Sequence, residues 1–420
     1  MARNKLALLG GEKAVPDGLM KSWPPVDQTD RDLILGSLDR KEYTYGTNYK
    51  LLEREFSEWL GISTPSVFCN SGTAALHMAV VACGCGVGDE VIAPAYTWPS
   101  SVTCCLHHNV IPVFVDIEWS TMNIDVDRIE AAITPRTKAI IAVHLHGLPV
   151  NMDAIGRIAK KHKLLVIEDC CQAHGATFKG QKVGTFGDCA AFSCNHNKLM
   201  CAGEGGFFVA ANERLLGLGK TLWYFGENRP PSEDGDFHTY GMGWMYRSTE
   251  LVASFARAQL AKLDGYIATI AENAGRFHEL VADCPHLVRP QVPDGMVTNW
   301  YNYTVRFDMA ALGHAHEPAA FRNKIVDALR AEGVQTGVWQ GWPVPKMTVF
   351  QARNGYGKGC PWSCQTESRP DYSPASFPVA QKHADCHTGM TFPLRPPNGL
   401  ELAERVAEAF HKVLGNADKL

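Results

Sequence analysis

Short apolar runs alternate with stretches of helical periodicity between about residues 65 and 210. Such runs are typical of strands buried on both faces of a parallel sheet, and the intervening helices provide the crossovers that parallel strands need. The runs cover residues 66–69, 90–93, 111–115, 139–143, 164–167, 190–193 and 206–210. They predict an α/β domain with one seven-stranded, mostly parallel sheet, whose ligands bind at the carboxyl ends of the strands.

The pattern changes beyond about Arg247. A long helix is predicted from residue 250 to 271 or beyond, then a strand at 302–307 and helices at 318–332 and 400–414. These elements indicate a smaller α+β domain. We therefore expect a large domain with an N-terminal arm over residues 1–250 and a small C-terminal domain over 251–420.

A stretch rich in Gly, Pro, Ser and Cys at residues 352–378 lacks periodicity and is predicted to be a long loop. It contains Cys360 and Cys364, and Cys386 and His387 follow it, so the residue types of a zinc site are present. Their spacing is none of the standard finger patterns, and we favour a loop without metal. The other cysteines lie in apolar stretches, as expected of reduced thiols that fill a core.

Composition narrows the class of protein. The chain has 40 basic and 44 acidic residues, interspersed, with a net charge of -4, which leaves no basic stripe for nucleic acid. No apolar run is long enough to span a bilayer, and residues 1–11 lack the features of a signal peptide. We expect a cytoplasmic protein with no membrane partner.

Three segments carry residues suited to chemistry, and the first is Asn70-Ser-Gly-Thr-Ala-Ala-Leu76, where a strand ends and a helix begins. The backbone N–H groups at that helix start, together with the hydroxyls of Ser71 and Thr73, would suit a phosphate. Ser-Gly-Thr is also an ordinary helix cap, so this segment alone leaves the two alternatives open.

The second segment is the buried strand at 164–169, which ends in Asp169 at the sheet edge where ligands bind. A carboxylate there can pair with a cationic group, although an Asp that only caps the next helix is the alternative. The third segment places Lys198 between a strand and the glycines 203, 205 and 206, which we expect to let the backbone approach a ligand closely. A partly desolvated lysine can lose its proton and attack an aldehyde, and a surface lysine is the alternative.

The order of phosphate turn, strand-end aspartate and lysine is typical of a pyridoxal-phosphate site. Here the sequence resembles the DegT/DnrJ/StrS family of sugar and cyclitol aminotransferases, which have fold type I of the pyridoxal-phosphate enzymes, the aspartate-aminotransferase fold. The resemblance covers nearly the whole chain. Its motifs are residues 8–16, 43–46, 71–76, 94–98, 115–116, 167–175 and 198–206.

The resemblance implies roles for individual residues. Phosphate would be bound by the turn with Ser71, Gly72 and Thr73 and by the Ser193 hydroxyl, and Trp98 would stack on the pyridine ring. Asp169 would pair with the ring nitrogen and keep it protonated. Gln172 would lie near the phenolic oxygen of the ring. Lys198 would form the Schiff base and later move the substrate proton.

One position departs from the family pattern. The segment at 243–250 aligns with a family segment whose third residue is normally an Asn that reaches the phosphate of a neighbouring subunit, and here that residue is Met245. Methionine cannot donate the hydrogen bond, so we expect this contact to be lost or replaced. The resemblance implies a homodimer, with Arg247 in a structural role at the interface.

The resemblance further implies a transaminase that moves an amino group from glutamine or glutamate to a keto-sugar or keto-cyclitol. The motifs are closest to the inosose aminotransferase and aminohydroxybenzoate synthase branches, which suggests amino-sugar, aminocyclitol or antibiotic biosynthesis. A dehydratase or aromatase of the latter branch and a non-catalytic regulator that binds the cofactor are the alternatives. The absence of a Gly-x-Gly-x-x-Gly motif after the first strand argues against nicotinamide binding.

Further residues are expected near the site. We expect His144, His146 and His174 to be hydrogen-bond partners of site residues rather than acids or bases. The segment at 339–345 could form an aromatic wall beside a polyhydroxylated ring or could pack in the core, and the sequence leaves both open.

Overall fold

The computed structural model describes residues 5–227, 239, 241–364 and 369–420. Its strands in chain order are β1 Val67–Cys69, β2 Glu90–Pro94, β3 Ile111–Val115, β4 Thr137–Val143, β5 Leu165–Asp169, β6 Thr177–Phe178, β7 Gln181–Lys182, β8 Cys189–Ser193, β9 Gly206–Ala210, β10 Leu287–Val288, β11 Met296–Val297, β12 Tyr303–Phe307 and β13 His387–Met390. The main sheet has seven strands in the order β1-β9-β8-β5-β4-β2-β3. Only β9 runs antiparallel to its neighbours, so the predicted mostly parallel sheet is confirmed.

Helices cover both faces of this sheet. The helices of the described residues, in chain order and including those of the second sheet, are α1 Gln28–Asp39, α2 Thr47–Leu60, α3 Gly72–Ala82, α4 Ser100–Leu106, α5 Ile129–Ala132, α6 Met152–His162, α7 Glu213–Trp223, α8 Glu250–Leu280, α9 Pro318–Ala331, α10 Thr348–Gln351, α11 Pro378–Cys386 and α12 Leu400–Leu414. Along β4, Ala139 and Ile141 join the core beneath α3 and α4, whereas Ile140 and Ala142 join the core on the opposite face. Because both faces are buried, the strands are continuously apolar, as the sequence indicated.

A second layer, formed by a three-stranded sheet and its helices, follows the main sheet along the chain. The strands β10, β12 and β13 form an antiparallel sheet that packs with α9, α12 and the end of α8, and β11, β6 and β7 form a small separate sheet. Leu6 and Val15, from the start of the chain, belong to the same core as α12. The helix α8 starts at the predicted residue but continues to Leu280, with its first half against the main sheet and its end in the second core. The domain division at residue 250 stays a prediction.

Before α11 begins at Pro378, the described residues of the predicted loop at 352–378 contain only two short 3-10 turns, and residues 365–368 lie outside the described part. Cys364 is exposed, whereas Cys386 and His387 are buried. No group of three potential metal ligands within the described residues contains Cys360 or Cys364. Across the same residues, no helix is both long enough and apolar enough to cross a membrane.

Candidate active site

A cavity of about 200 Å³ lies at the carboxyl ends of β1, β5 and β8. These strands are brought together by the sheet order, with β8 beside β5 and β9 between β8 and β1. All the residues that the sequence predicted for the site line this cavity: Ser71, Gly72, Thr73, Trp98, Asp169, Gln172, Ser193 and Lys198. Residues without a predicted role also line it: Thr97, Ser101, Asn195, Asn197, Glu204 and Tyr301.

The helix start after β1 forms one wall of the cavity. Ser71 caps α3, and its Oγ accepts a hydrogen bond from the Ala74 N–H at 3.1 Å. The earlier N–H groups of Gly72 and Thr73 have no carbonyl partner within the helix, because the first turn of any helix lacks them. A Cβ atom on Gly72 would lie 2.7 Å from the Ser193 Cβ. Glycine therefore lets the helix start close against the end of β8, which leaves donors available to an anion.

Gly206 supports the same wall from behind. A Cβ atom there would lie 2.6 Å from the Phe192 oxygen and 2.7 Å from both the Gly72 nitrogen and the Ser71 carbonyl carbon. Gly206 does not line the cavity. Its role is thus to let β9 pack against the backbone of the helix start, rather than to let a ligand approach, as we had expected for the glycine cluster.

Asp169 is the last residue of β5 and is 4% exposed. Its Oδ2 accepts a hydrogen bond from the Ser101 hydroxyl at 2.6 Å, and its Oδ1 accepts one from the Cys171 N–H at 3.0 Å. The Ser101 oxygen lies 2.9 Å from the Thr97 hydroxyl, which can donate to it in turn. These donors hold the carboxylate in one orientation and compensate for part of its burial.

Gln172 and His144 form the next part of the wall, and His146 supports Gln172 from outside the cavity lining. The Gln172 Oε1 accepts a hydrogen bond from the His146 N–H at 2.9 Å, so the Nε2 of this amide is the end left to donate. The His144 Nδ1 accepts a hydrogen bond from the Val150 N–H at 3.0 Å, which places its proton on Nε2 beside Glu168 at 3.1 Å. His144 is therefore a hydrogen-bonded support of the site, as expected.

The other two histidines are buried and neutral. Burial, helped by the charges of Lys198 and Arg395, lowers the pKa of His174 to about 3. Burial also lowers the pKa of His146 well below its usual range, with smaller contributions from His387 and Lys198. The Nε2 atoms of both rings have no hydrogen-bond partner among the described residues. The predicted role as a hydrogen-bond partner of a site residue is thus met by the backbone N–H of His146, which donates to Gln172, while the His146 Nδ1 lies 3.3 Å from the Asn302 amide.

Lys198 lies in a turn after β8, half-buried. Its Nζ donates a hydrogen bond to the Tyr301 hydroxyl at 3.1 Å and lies 4.5 Å from the centre of that ring. Arg395 is fully buried and donates to the backbone oxygens of Asn197 at 2.8 Å and Tyr301 at 3.0 Å. One guanidinium therefore links the turn that carries Lys198 to the segment that carries Tyr301.

Two indoles flank the opening. Trp98 is 51% exposed and lines the cavity together with Trp339, with their ring centres 5.9 Å apart. The rings of Trp339 and His146 meet edge to face, with their centres 4.7 Å apart. Of the two alternatives for the segment at 339–345, Trp339 takes the position of a cavity wall, while Val344 packs in the core.

The segment with Met245 lies next to the helix start of its own chain, because the Asn70 N–H donates to the Tyr246 oxygen at 2.7 Å. The Met245 side chain is 40% exposed. Arg247 stacks on Tyr224, 4.9 Å from its ring centre, and its Nε is buried without a hydrogen-bond partner among the described residues.

This donor set fits pyridoxal phosphate. Free N–H groups and hydroxyls at the start of α3 suit its phosphate, the buried Asp169 carboxylate suits a protonated pyridine nitrogen, and the Lys198 amine suits its aldehyde. The glycine at position 72 keeps the N–H groups of the helix start close to Ser193, because any side chain there would meet the Ser193 Cβ.

Comparison with known proteins agrees with this geometry. GDP-perosamine synthase of Caulobacter vibrioides is 36% identical over 316 residues, covering 74% of this chain and 82% of that protein. L-glutamine:2-deoxy-scyllo-inosose aminotransferase of Streptomyces kanamyceticus is 36% identical over 287 residues, covering 66% and 65%. The crystal structure of 3-amino-5-hydroxybenzoic acid synthase matches with a TM-score of 0.84 at 26% identity, over 96% of this chain and 100% of that one.

The model of the DegT/DnrJ/EryC1/StrS aminotransferase family matches residues 25–409. This match and the fold confirm the predicted resemblance, the aspartate-aminotransferase-like architecture and pyridoxal phosphate as the cofactor. The chain belongs to the DegT/DnrJ/EryC1/StrS family and is a pyridoxal-phosphate-dependent aminotransferase.

Proposed function

We propose that this enzyme transfers an amino group from glutamine or glutamate to a keto-cyclitol or keto-sugar, in the biosynthesis of an amino sugar, an aminocyclitol or a related secondary metabolite such as an antibiotic. The observation that carries the proposal is the single cavity in which Lys198, Asp169 and the start of α3 meet beneath two indoles. The names of the relatives, a perosamine synthase and an inosose aminotransferase, support ring ketones as the acceptor class.

The roles of the residues follow from their chemistry. When bound, pyridoxal phosphate supplies an acceptor for the electrons of the substrate carbon. Ser71, Gly72 and Thr73, with Ser193, would hold its phosphate, and Trp98 would stack on its ring. These contacts orient the cofactor in the cavity.

The remaining roles concern protons. Asp169, oriented by Ser101, would keep the pyridine nitrogen protonated, and the free amide end of Gln172 would donate to the phenolic oxygen. Lys198 would carry the cofactor covalently and, once released by the amino donor, would move the substrate proton at its Nζ.

The lining of the cavity supports a neutral, hydroxylated acceptor. The charged side chains among its described lining residues are Asp169, Lys198 and Glu204, and no arginine of the described residues lines it. The rest of the wall offers hydroxyls and amides, including those of Asn195 and Asn197, beside the indoles of Trp98 and Trp339. Few polar groups fixed beside aromatic faces are suited to ring hydroxyls and to the C–H faces of a ring.

We further propose that the enzyme acts as a cytoplasmic homodimer. Several apolar side chains are exposed on segments around the start of α8, where the Glu250 N–H donates to the Tyr43 oxygen and the Phe225 N–H donates to the Trp244 oxygen: Tyr43, Tyr45, Phe225, Met242 and Met245. Tyr45 and Phe225 are connected through Trp223 and Tyr224. An apolar group of this kind on a soluble enzyme is typical of a covered interface. Met245 cannot donate a hydrogen bond to the cofactor phosphate of the neighbouring subunit. In the dimer, that phosphate would therefore receive a hydrogen bond from another residue or none from this segment.

The proposal is tested in two steps. The purified protein is incubated with pyridoxal phosphate, reduced with borohydride and digested, and the modified lysine is identified by mass spectrometry. We expect the adduct on Lys198 and none in Lys198→Ala, with Lys220→Ala, an exposed lysine on α7, as the matched control. An adduct at another lysine, or none, would contradict the central role of Lys198.

In the second step, amino acids are added singly and the visible absorption of the lysine-bound cofactor is followed. Glutamine or glutamate should abolish the band by converting the cofactor to its amine form, and a keto-cyclitol should restore it with formation of an amine detected by mass spectrometry. If an aminated ring ketone is instead dehydrated to an aromatic product, the synthase-type alternative replaces the transaminase. A band that no donor changes would favour the regulator.

A further inference from the structure

Two cysteines of the long loop stand apart from the other cysteines of the chain. Cys364 is exposed and Cys360 is partly exposed, whereas the remaining cysteines are buried except for Cys171, which lines the active cavity. The sulfur atoms of Cys360 and Cys364 are 2.7 Å apart. They are therefore the accessible thiols outside the catalytic site, and they form a pair.

The folded turn beneath the thiols sets their spacing. The N–H of Ser363 donates to the Gly359 oxygen at 2.8 Å, and the N–H of Cys364 donates to the Pro361 oxygen at 3.1 Å. Between the two cysteines, Trp362 is 2% exposed and donates a hydrogen bond to the Tyr372 hydroxyl at 3.1 Å. The turn is thus anchored in the main core while its sulfur atoms remain at the surface.

The surroundings favour a nucleophilic thiolate at Cys360. A hydrogen bond from the Cys364 thiol lowers the pKa of Cys360, with further contributions from the Ser363 hydroxyl and the charge of Lys358. The same interaction raises the pKa of Cys364, so that a proton is retained on the second thiol. A thiolate beside a neighbouring thiol is the arrangement of an attacking and a resolving cysteine.

We propose that Cys360 and Cys364 form a redox-modifiable dithiol that exchanges with small disulfides of the glutathione class. The Cys360 sulfur attacks one sulfur of the disulfide, which forms a mixed disulfide and releases one small thiol. The Cys364 sulfur then attacks the Cys360 sulfur, which closes the internal S–S bond and releases the second small thiol. The protein loses two electrons and two protons, and the small disulfide gains both.

Closure needs little movement. A disulfide has its sulfur atoms about 2.0 Å apart, so the observed pair has to approach by only roughly 0.7 Å. The bond would close a loop of a few residues and would remove little chain entropy, which favours reversible chemistry over a structural crosslink. The site lies outside the catalytic cavity and is independent of the proposed amino acceptor.

The test uses the full chain loaded with its cofactor. The reduced protein is equilibrated with oxidised and reduced glutathione at several ratios, quenched with N-ethylmaleimide, digested and analysed by mass spectrometry. We expect the peptide with both cysteines to become lighter by two hydrogen atoms as the fraction of oxidised glutathione rises. Reduced dithiothreitol should reverse this change, and amino transfer should be unaffected.

Two single variants complete the test. Cys364→Ala lacks the resolving thiol and should accumulate a glutathione adduct on Cys360, where the charge of Lys358 still favours the thiolate. Cys360→Ala retains only Cys364, on which Lys358 does not act, and should react more slowly. The proposal is overturned if both cysteines of the wild type are fully alkylated at every ratio. It is equally overturned if glutathione adducts persist on the wild type without an internal bond.

Discussion

Replacing Gly206 with alanine should displace the wall that is proposed to bind phosphate. The added Cβ would lie 2.6 Å from the Phe192 oxygen and 2.7 Å from the Gly72 nitrogen and the Ser71 carbonyl carbon. All of these are backbone atoms, so no side chain can rotate away, and ordinary contact requires the backbone to move by roughly 0.8 Å. Overpacking of this kind costs about 1–3 kcal/mol.

The displacement falls on the residues whose N–H groups would hold the phosphate. If the strain appears in binding, 1–3 kcal/mol corresponds to a cofactor affinity lower by roughly 5- to 150-fold. Equilibrium dialysis of pyridoxal phosphate measures this loss, and a thermal unfolding scan of the cofactor-free protein measures the strain that appears in stability.

Gly217→Ala is the matched control. Gly217 lies inside α7 with no atom within 4 Å of an added Cβ, so alanine there should leave binding unchanged and stabilise the helix by about 0.5–1 kcal/mol. Unchanged cofactor affinity and unchanged unfolding temperature in Gly206→Ala would refute the reasoning that this glycine maintains the wall.

Three further changes probe the site and the fold. Tyr301→Phe removes the hydroxyl 3.1 Å from the Lys198 Nζ but keeps the ring, so covalent attachment of the cofactor should persist. The pH titration of the visible band of the bound cofactor should shift, and amino transfer should slow by roughly tenfold. Ser101→Ala removes the donor 2.6 Å from Asp169, and dialysis should show cofactor binding weaker by about 1.5–3 kcal/mol, whereas unchanged binding would show that the carboxylate does not need this partner. Burial raises the pKa of the Glu53 carboxyl to about 7, so the folded chain binds the carboxyl proton more tightly than the unfolded chain does. The stability that this protonation contributes to the folded chain is present below about pH 4.3 and is lost as the pH rises to about 7. Glu53→Gln should remove that loss, so its denaturation midpoint should change less between about pH 5 and pH 7.5 than that of the wild type, and equal changes in both would contradict the shift.

Local patterns of the sequence were sufficient for most of the fold. The seven apolar runs predicted the strands of the main sheet, because a strand buried on both faces has no polar positions to interrupt it. The helix at Leu400–Leu414 matches its predicted bounds, and that at Pro318–Ala331 differs by one residue. The start of α8 was predicted, but its C-terminal end was left open, because the continuation to Leu280 depends on packing in the second core.

The same reasoning selected Ser71 and Asp169 at the ends of strands, whereas Ser193 followed from the family resemblance. Ser71, Asp169 and Ser193 lie at or just after the carboxyl ends of β1, β5 and β8, and parallel strands bring such ends to one edge of a sheet. The sequence by itself therefore determined the family, the cofactor and the residues proposed to contact it.

Only the tertiary structure decided which side chains support those residues. Ser101 is 68 residues from Asp169 along the chain, and Tyr301 is 103 residues from Lys198, so no periodicity or spacing connects them. Arg395 reaches the turn of Lys198 from the far end of the chain, 198 residues after Asn197. Such contacts depend on how the three-stranded sheet and its helices pack against the main sheet. That packing results from the burial of many side chains in the two cores together, so no local stretch of the sequence indicates it.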